Sequence, residues 1–172
     1  MAYELADSPG RTFYQNAGST KREGIELLLQ HQFSQRLSAN LTYNSASFTY
    51  KNFEQNGENY AGNRLPGIPK NFGVLRLSYQ WKNGPLINYS KTYRSDLYAD
   101  NNNATRVDSF YRDDINLSIP LNKINDKTAV FLGCNNLFNS LYSDNIRINA
   151  FGGRYYEAAP EREIYVNLQW QF

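Results

Sequence analysis

Cysteine, histidine and long apolar runs are the scarce features of this 172-residue chain. With one cysteine, Cys134, no internal disulfide can form. One thiol beside one histidine, His31, cannot build an ordinary zinc site, and no metal or cofactor is expected. No apolar run approaches the roughly 18 residues a membrane helix needs, so a membrane-spanning role would fall to strands. Charge of one sign is lacking too: 18 basic and 16 acidic residues leave a net +2, interspersed along the chain, with no electrostatic reason to expect nucleic acid. Neither a basic n-region nor an apolar h-region follows Met1, so no secretory signal is read there. An exported protein needs one, so on any exported reading the chain is expected to be truncated at its N-terminus.

Aromatic residues are plentiful, at 15%, with 14 Tyr and 10 Phe. The mean hydropathy is nonetheless −0.67. A barrel wall with lipid outside and water inside reconciles the two, because every second residue is polar.

The alternation is plain in the residues. Ile164, Val166, Leu168, Trp170 and Phe172 share one face, against Tyr165, Asn167, Gln169 and Gln171 on the other. A period of two is a strand. Leu75, Leu77, Tyr79 and Trp81 repeat the device, as do Ile115, Leu117, Ile119 and Leu121, then Leu37, Ala39, Leu41 and Tyr43, and Ile25, Leu27, Leu29 and Phe33. His31 falls on the apolar side of the last set, a wall position near the lower rim. In 86–95 the outward row is Ile87, Tyr89, Lys91 and Tyr93, which places a lysine in lipid at a cost of about 2–4 kcal/mol unless it snorkels. In 127–138 both faces carry apolar residues, Val130, Leu132 and Cys134 against Phe131 and Gly133, and the orientation is left open.

Short polar connections at 34–36, 82–84 and 122–126 alternate with long ones at about 51–68, 99–108 and 139–160. Short turns at one rim and long loops at the other are the pattern of outer-membrane barrels, the long loops facing outward. Aromatics gather at both ends of the strands: Phe33, Trp81, Trp170 and Phe172 below, and Phe48, Tyr93, Tyr98, Phe110, Tyr111, Phe138 and Tyr142 above, read as headgroup-level girdles. Seven strands follow from about Arg11 onward. Ala2–Leu5 reads as the tail of an eighth, turned at Asp7-Ser8-Pro9-Gly10. The fold expected is all-β, an antiparallel up-and-down transmembrane β-barrel segment of seven or eight strands in a single domain.

Four motifs in order carry a likeness. Phe13 to Gly18 followed by Lys21 to Leu27 resembles an N-x-G…G-[IV]-E strand; Asn63 to Pro69 resembles a loop-to-strand segment; Asn135 to Tyr142 matches N-N-L-F-[DN]-x-x-Y; Gly153 to Arg162 is similar to a final loop before a strand ending in an aromatic. Together these resemble the TonB-dependent outer-membrane receptors, in their siderophore branch. The resemblance implies that 1–172 is the last third of a 22-stranded barrel, without its plug and signal peptide. It also implies import of iron chelates or a related complex such as cobalamin, with the TonB complex reached through the missing plug. The final strand resembles the signal read by the barrel-assembly machinery through an edge strand and an aromatic anchor, which points to Leu168, Trp170 and Phe172.

Tyr98, Arg147, Arg154, Tyr155 and Tyr156, on the long-loop rim, are the candidate contacts for an extracellular metal chelate, since arginine suits anions and tyrosine offers flat amphipathic surface. Residues of these types on such a rim more often belong to a solvated loop with headgroup-level aromatics. Lys21-Arg22-Glu23 with Glu26 reads as a solvated or lumen-facing patch. Asp113 and Asp114 point to opposite faces of a strand and cannot share a substrate, and one poorly placed histidine supplies no triad, so no enzyme is expected. A complete eight-stranded barrel with a structural or adhesive role is the main alternative.

Overall fold

The computed structural model describes residues 2–4, 10–14, 18–82, 84–121 and 128–170. Among them, seven strands form one antiparallel sheet: β1 (Ser19–Gln32), β2 (Leu37–Asn52), β3 (Asn71–Gln80), β4 (Leu86–Arg94), β5 (Phe110–Pro120), β6 (Ala129–Asn135) and β7 (Glu163–Gln169). Each pairs with its sequence neighbours only, giving the simple meander expected, with β1 and β7 as the outer strands. Thr12–Tyr14 pairs with Ala2–Glu4 as a two-stranded ribbon, and the residues 15–17 between it and β1 lie outside the described residues.

The lower turns are held by short bonds. Phe33 N donates to Leu37 O, while the Ser34 hydroxyl accepts from the amides of Arg36 and Leu37. At the next turn Trp81 N donates to Pro85 O, and Gln80 Nε2 reaches the carbonyls of Trp81, Gly84 and Pro85. The turn expected at 122–126 lies outside the described residues, as do Asp7 to Pro9 and Phe172.

The register places all the apolar rows on one face. One row runs Leu37, Tyr79, Ile87, Leu117, Leu132, Val166 from β2 to β7; the next runs Ala39, Leu77, Tyr89, Ile115, Cys134, Ile164. The opposite face is polar, with Ser38, Ser78, Asn88 and Asn116 in register and joined by Ser78 to Asn88 and Asn88 to Asn116 hydrogen bonds. Ile25, Ile164, Val166 and Leu168 are all more than half exposed. A soluble sheet would cover such a face; in a barrel wall lipid does so, and the polar face lines the lumen.

Strand β6 thereby acquires its orientation: Val130, Leu132 and Cys134 face lipid, and Phe131 and Gly133 face inward. Gly133 is glycine because the Tyr165 ring of β7 lies across it. A Cβ there would sit 2.1 Å from Tyr165 Cζ. Gly133→Val should therefore overpack this pair and destabilise the β6–β7 hairpin by about 1–3 kcal/mol. A drop in the thermal midpoint of the heat-modifiable form of the full-length receptor, largely recovered by adding Tyr165→Ser, checks it.

The upper girdle is partly redistributed. Tyr93 and Tyr111 stack on the lipid face at 4.7 Å. Phe48 and Phe110, by contrast, are in register with Arg22 and Arg94 on the inner face. The Arg94 guanidinium lies 4.7 Å over the Phe110 ring, and Tyr142 stacks on the same ring at 4.1 Å. Nearness to a strand end alone suggests headgroup anchors, but the parity of Phe48 and Phe110 along their strands turns both inward.

Buried apolar residues collect above the sheet in two small clusters. One is Tyr50, Phe53 and Tyr60 with Leu65; the other is Leu97, Ala99 and Val107 with Ile146 and Tyr155. The long connections are thus folded parts of the molecule, each containing a short hairpin: Glu54–Gln55 with Glu58–Asn59, Leu97–Tyr98 with Arg106–Val107, and Ser143–Ile146 with Tyr156–Ala158.

Candidate functional site

Asparagine side chains bind the three upper loops together. Asn101, 6% exposed, accepts at Oδ1 from the Tyr50 hydroxyl at 2.9 Å and from Asn149 Nδ2 at 3.1 Å. Its backbone N donates to Asn149 Oδ1 and its carbonyl accepts from Asn63 Nδ2. Nearby, Arg64 N donates to Asn103 Oδ1 at 2.8 Å while Asn103 Nδ2 donates to Arg64 O at 2.9 Å. Asn103 and Asn149 adopt φ of 57° and 54°, a conformation asparagine tolerates better than other side-chain-bearing residues. Asp100 closes the small loop by accepting the amides of Ala104 and Thr105.

This scaffold surrounds a pocket of about 220 Å³ lined by Gln55, Asn56, Tyr60, Asp100, Asn149 and Tyr155, among others. Burial, with the Glu58 carboxylate accepting its hydroxyl, pushes the Tyr60 phenol above its ordinary pKa. Carboxamides and phenols dominate the lining, which suits a ligand rich in hydrogen-bonding groups.

The candidate contact residues are divided by the structure. Tyr155 lines the pocket and packs on the Leu97 cluster. Tyr98 lies below the Arg64 guanidinium at 5.4 Å, and Arg64 and Arg106 both pair with Asp96. The Tyr156 hydroxyl donates to Arg106 O, bringing it to the Tyr98 hairpin. Arg147 is paired with Glu157 at 2.6 Å, on the hairpin's exposed side. Arg154 is exposed beside the 3-10 turn Phe151–Gly153.

Asn145 and then Arg147 donate to the Glu157 carboxylate and hold it below its ordinary pKa. A group lowered in the folded state stabilises at any pH above its unfolded value and loses that contribution as pH falls through the lowered one. The Ser143–Ala158 hairpin should therefore be unchanged from neutrality down to the usual glutamate range near about 4.3 and loosen only below it. Amide exchange across 143–158 as a function of pH measures this; the effect is small because the pair is exposed.

Two further clusters lie in the wall. Lys91 Nζ meets Asp113 at 3.1 and 3.3 Å from the adjoining strand, directly across the register. Tyr89 donates to the same carboxylate, and the Lys91 ammonium lies 5.2 Å from the Tyr111 ring centroid. The lysine keeps its place in the apolar row because its charge is matched there. Asp114, on the inner face, instead takes Arg112 Nε and the amide of Asn136.

Asn136 explains the Asn135–Tyr142 motif. It is 2% exposed, exchanges bonds with Ser140 through both its side-chain groups, and donates to Pro160 O; Asn139 Oδ1 accepts the amide of Arg162. The motif locks the end of β6 to the start of β7. Leu168 and Trp170 are exposed, Leu168 in the same row as Val130 on the lipid face.

The asparagine scaffold went unremarked in the sequence. Its signal was there in the Asn101-Asn102-Asn103 run between strands, where composition alone suggested only a loop.

A one-faced apolar meander, short turns below and folded loops above define a wall segment of a transmembrane β-barrel. Comparison with known proteins narrows the class. Residues 2–137 match the family model of the TonB dependent receptor-like β-barrel. A probable TonB-dependent siderophore receptor, PiuA of Acinetobacter baumannii, is 25% identical over 174 residues, which cover 94% of this chain and 22% of that relative. The crystal structure of the siderophore receptor PiuA from Acinetobacter baumannii superposes with a TM-score of 0.71 at 22% identity, over 87% of this chain and 21% of that one. The ferric yersiniabactin uptake receptor FyuA from Yersinia pestis gives 0.72 at 20% identity, over 89% and 24%. The chain belongs to the TonB-dependent receptor family, in its β-barrel. It spans about a fifth of the length of these relatives.

Proposed function

We propose that the chain forms the C-terminal portion of the barrel of an outer-membrane receptor that imports iron chelates, energised through TonB by way of a plug. The observation that carries this reading is the family match over 2–137, joined to a wall whose upper loops are fixed around a polar pocket. Among the described residues, no cluster of His, Cys, Asp and Glu could hold a metal ion. In this reading the protein therefore grips the chelate, and the iron stays within it. Tyr98, Arg154, Tyr155 and Tyr156 contribute amphipathic and cationic surface around the mouth; Arg147 contributes through its hairpin with Glu157. Deleting the gene should abolish growth on at least one ferric chelate as sole iron source and leave growth on ferrous salts intact. Unchanged uptake of every ferric chelate tested would overturn the iron reading, and loss of cobalamin uptake alone would redirect it to that cargo.

The same reading gives the last strand its task. Leu168 and Trp170, both exposed, present apolar side chains to the assembly machinery, and Phe172 supplies the terminal aromatic of that signal. The isolated chain, with β1 and β7 as unpaired edges, should give no heat-modifiable compact band in detergent. A compact band would favour the self-contained eight-stranded barrel.

A further inference from the structure

Not every polar group in the loop pocket serves to hold the loops together. Asn101 lines it although only 6% exposed, and its Oδ1 serves Tyr50 and Asn149, whereas among the described residues its Nδ2 makes no hydrogen bond. The side-chain amides of Gln55, Asn56 and Asn102 and the Tyr155 hydroxyl, on the same lining, are likewise unengaged among the described residues. A nearly buried donor that meets no protein acceptor is left for water or a ligand. Each free carboxamide offers a donor beside an acceptor, the pattern that adjacent hydroxyls on a ring match. Tyr60 and Tyr155 bring aromatic surface to the same space.

Charge decides which ligand such a lining takes. Among the described residues none that lines the pocket is basic, and the one charged group there is the Asp100 carboxylate. The loop arginines are engaged elsewhere: Arg64 and Arg106 with Asp96, Arg147 with Glu157, and Arg94 with the carbonyls of Ser143 and Asp108. Glu58, which accepts the Tyr60 hydroxyl, adds a second negative charge beside the pocket. An anionic group would meet like charge with no cation to offset it, and a neutral group rich in hydroxyls would not. The volume of about 220 Å³ is on the scale of a single sugar ring.

We propose that this pocket is a subsite for one neutral pyranose ring carried by the imported ligand, its hydroxyls on Asn101 Nδ2 and the Gln55 and Asn102 carboxamides, its C–H face on Tyr155. This rests on the loop rim being the capture site of an importer, and it holds whether or not the cargo is iron. The bonds of Asn101 to Tyr50 and Asn149 fix the site before the ring arrives, which lowers the ordering cost of binding.

The test titrates the full-length receptor in detergent micelles with a panel of neutral methyl hexopyranosides and with the matching methyl hexuronides, which carry a carboxylate in place of the primary alcohol. Binding is read by saturation-transfer NMR. At least one neutral pyranoside should bind, and its uronide about tenfold more weakly. Gln55→Ala and Asn102→Ala, whose side chains make no bond within the described fold, should each weaken the neutral pyranoside about fivefold and leave amide exchange at 97–105 and 147–155 unchanged. Absence of saturable binding by every neutral pyranoside overturns the proposal, as does a uronide bound equally tightly, or binding untouched by both substitutions. The comparison of pyranoside with uronide needs no variant. Pyranoside binding absent from a receptor that still supports growth on a ferric chelate removes the sugar subsite alone; binding present in one that supports growth on none removes the iron reading alone.

Discussion

Replacing Asp113 with alanine is expected to cost the barrel about 3 kcal/mol, because it leaves the Lys91 ammonium unmatched in the lipid-facing wall. The Asp113 side chain is only 4% exposed, and the lysine it pairs with comes from the next strand in perfect register. With Lys91 in the apolar row of a barrel wall, hydrocarbon on that face would screen the pair less than water does on a soluble surface. The substitution also removes the acceptor for the Tyr89 hydroxyl. A lower urea midpoint for the assembled protein and weaker accumulation in the membrane should follow. Lys91→Leu in the same background should restore most of the loss, since it removes the charge that needed a partner. An Asp113→Ala protein as stable as wild type would mean that Lys91 reaches water and that the wall is placed at the wrong depth.

Replacing Asn101 with alanine should have the largest effect on ligand capture. Its side chain accepts from Tyr50 at the top of β2 and from Asn149 in the last long loop. Truncation removes one partner of the buried Tyr50 and leaves the half-buried Asn149 amide without its acceptor, at about 1–3 kcal/mol. The expected result is a wall that melts normally beneath loops that exchange amide hydrogens faster at 56–68, 97–105 and 147–155, with chelate affinity reduced about tenfold or more. Asn101→Asp keeps an acceptor and should lose less. If exchange rises only at 97–105, the loops are independent and the pocket between them is not a fixed site.

What the sequence revealed depended on whether the physics was periodic. The wall was legible because lipid on one side and water on the other force a period of two, and the rows predicted around Leu75, Ile115, Leu37 and Ile164 are in register across the sheet. Lys91 looked anomalous because its partner, Asp113, is 22 residues away, where no local pattern links them. Strand β6 was ambiguous for a similar reason. Val130, Leu132 and Cys134 on one face and Phe131 and Gly133 on the other are all apolar, and only Tyr165 of another strand supplies the neighbour that makes Gly133 a requirement. The loop site was least legible. Tyr98, Tyr155 and Tyr156 were marked by chemistry, but the asparagines that hold the loops act through contacts 38 to 51 residues distant. Asn136 was marked by resemblance alone, and its physical reason, a lock on Ser140 and Pro160, emerges only in three dimensions.

The central claim is that one face of this sheet meets lipid and the other an aqueous lumen. Nitroxide labels placed one at a time at 75, 76, 77 and 78 of β3 in the full-length receptor, reconstituted in bilayers, test it directly. Positions 75 and 77 should be relaxed preferentially by oxygen, and 76 and 78 by a water-soluble nickel complex, giving a strict period of two. Equal relaxation at all four positions, or the opposite phase, would contradict the account.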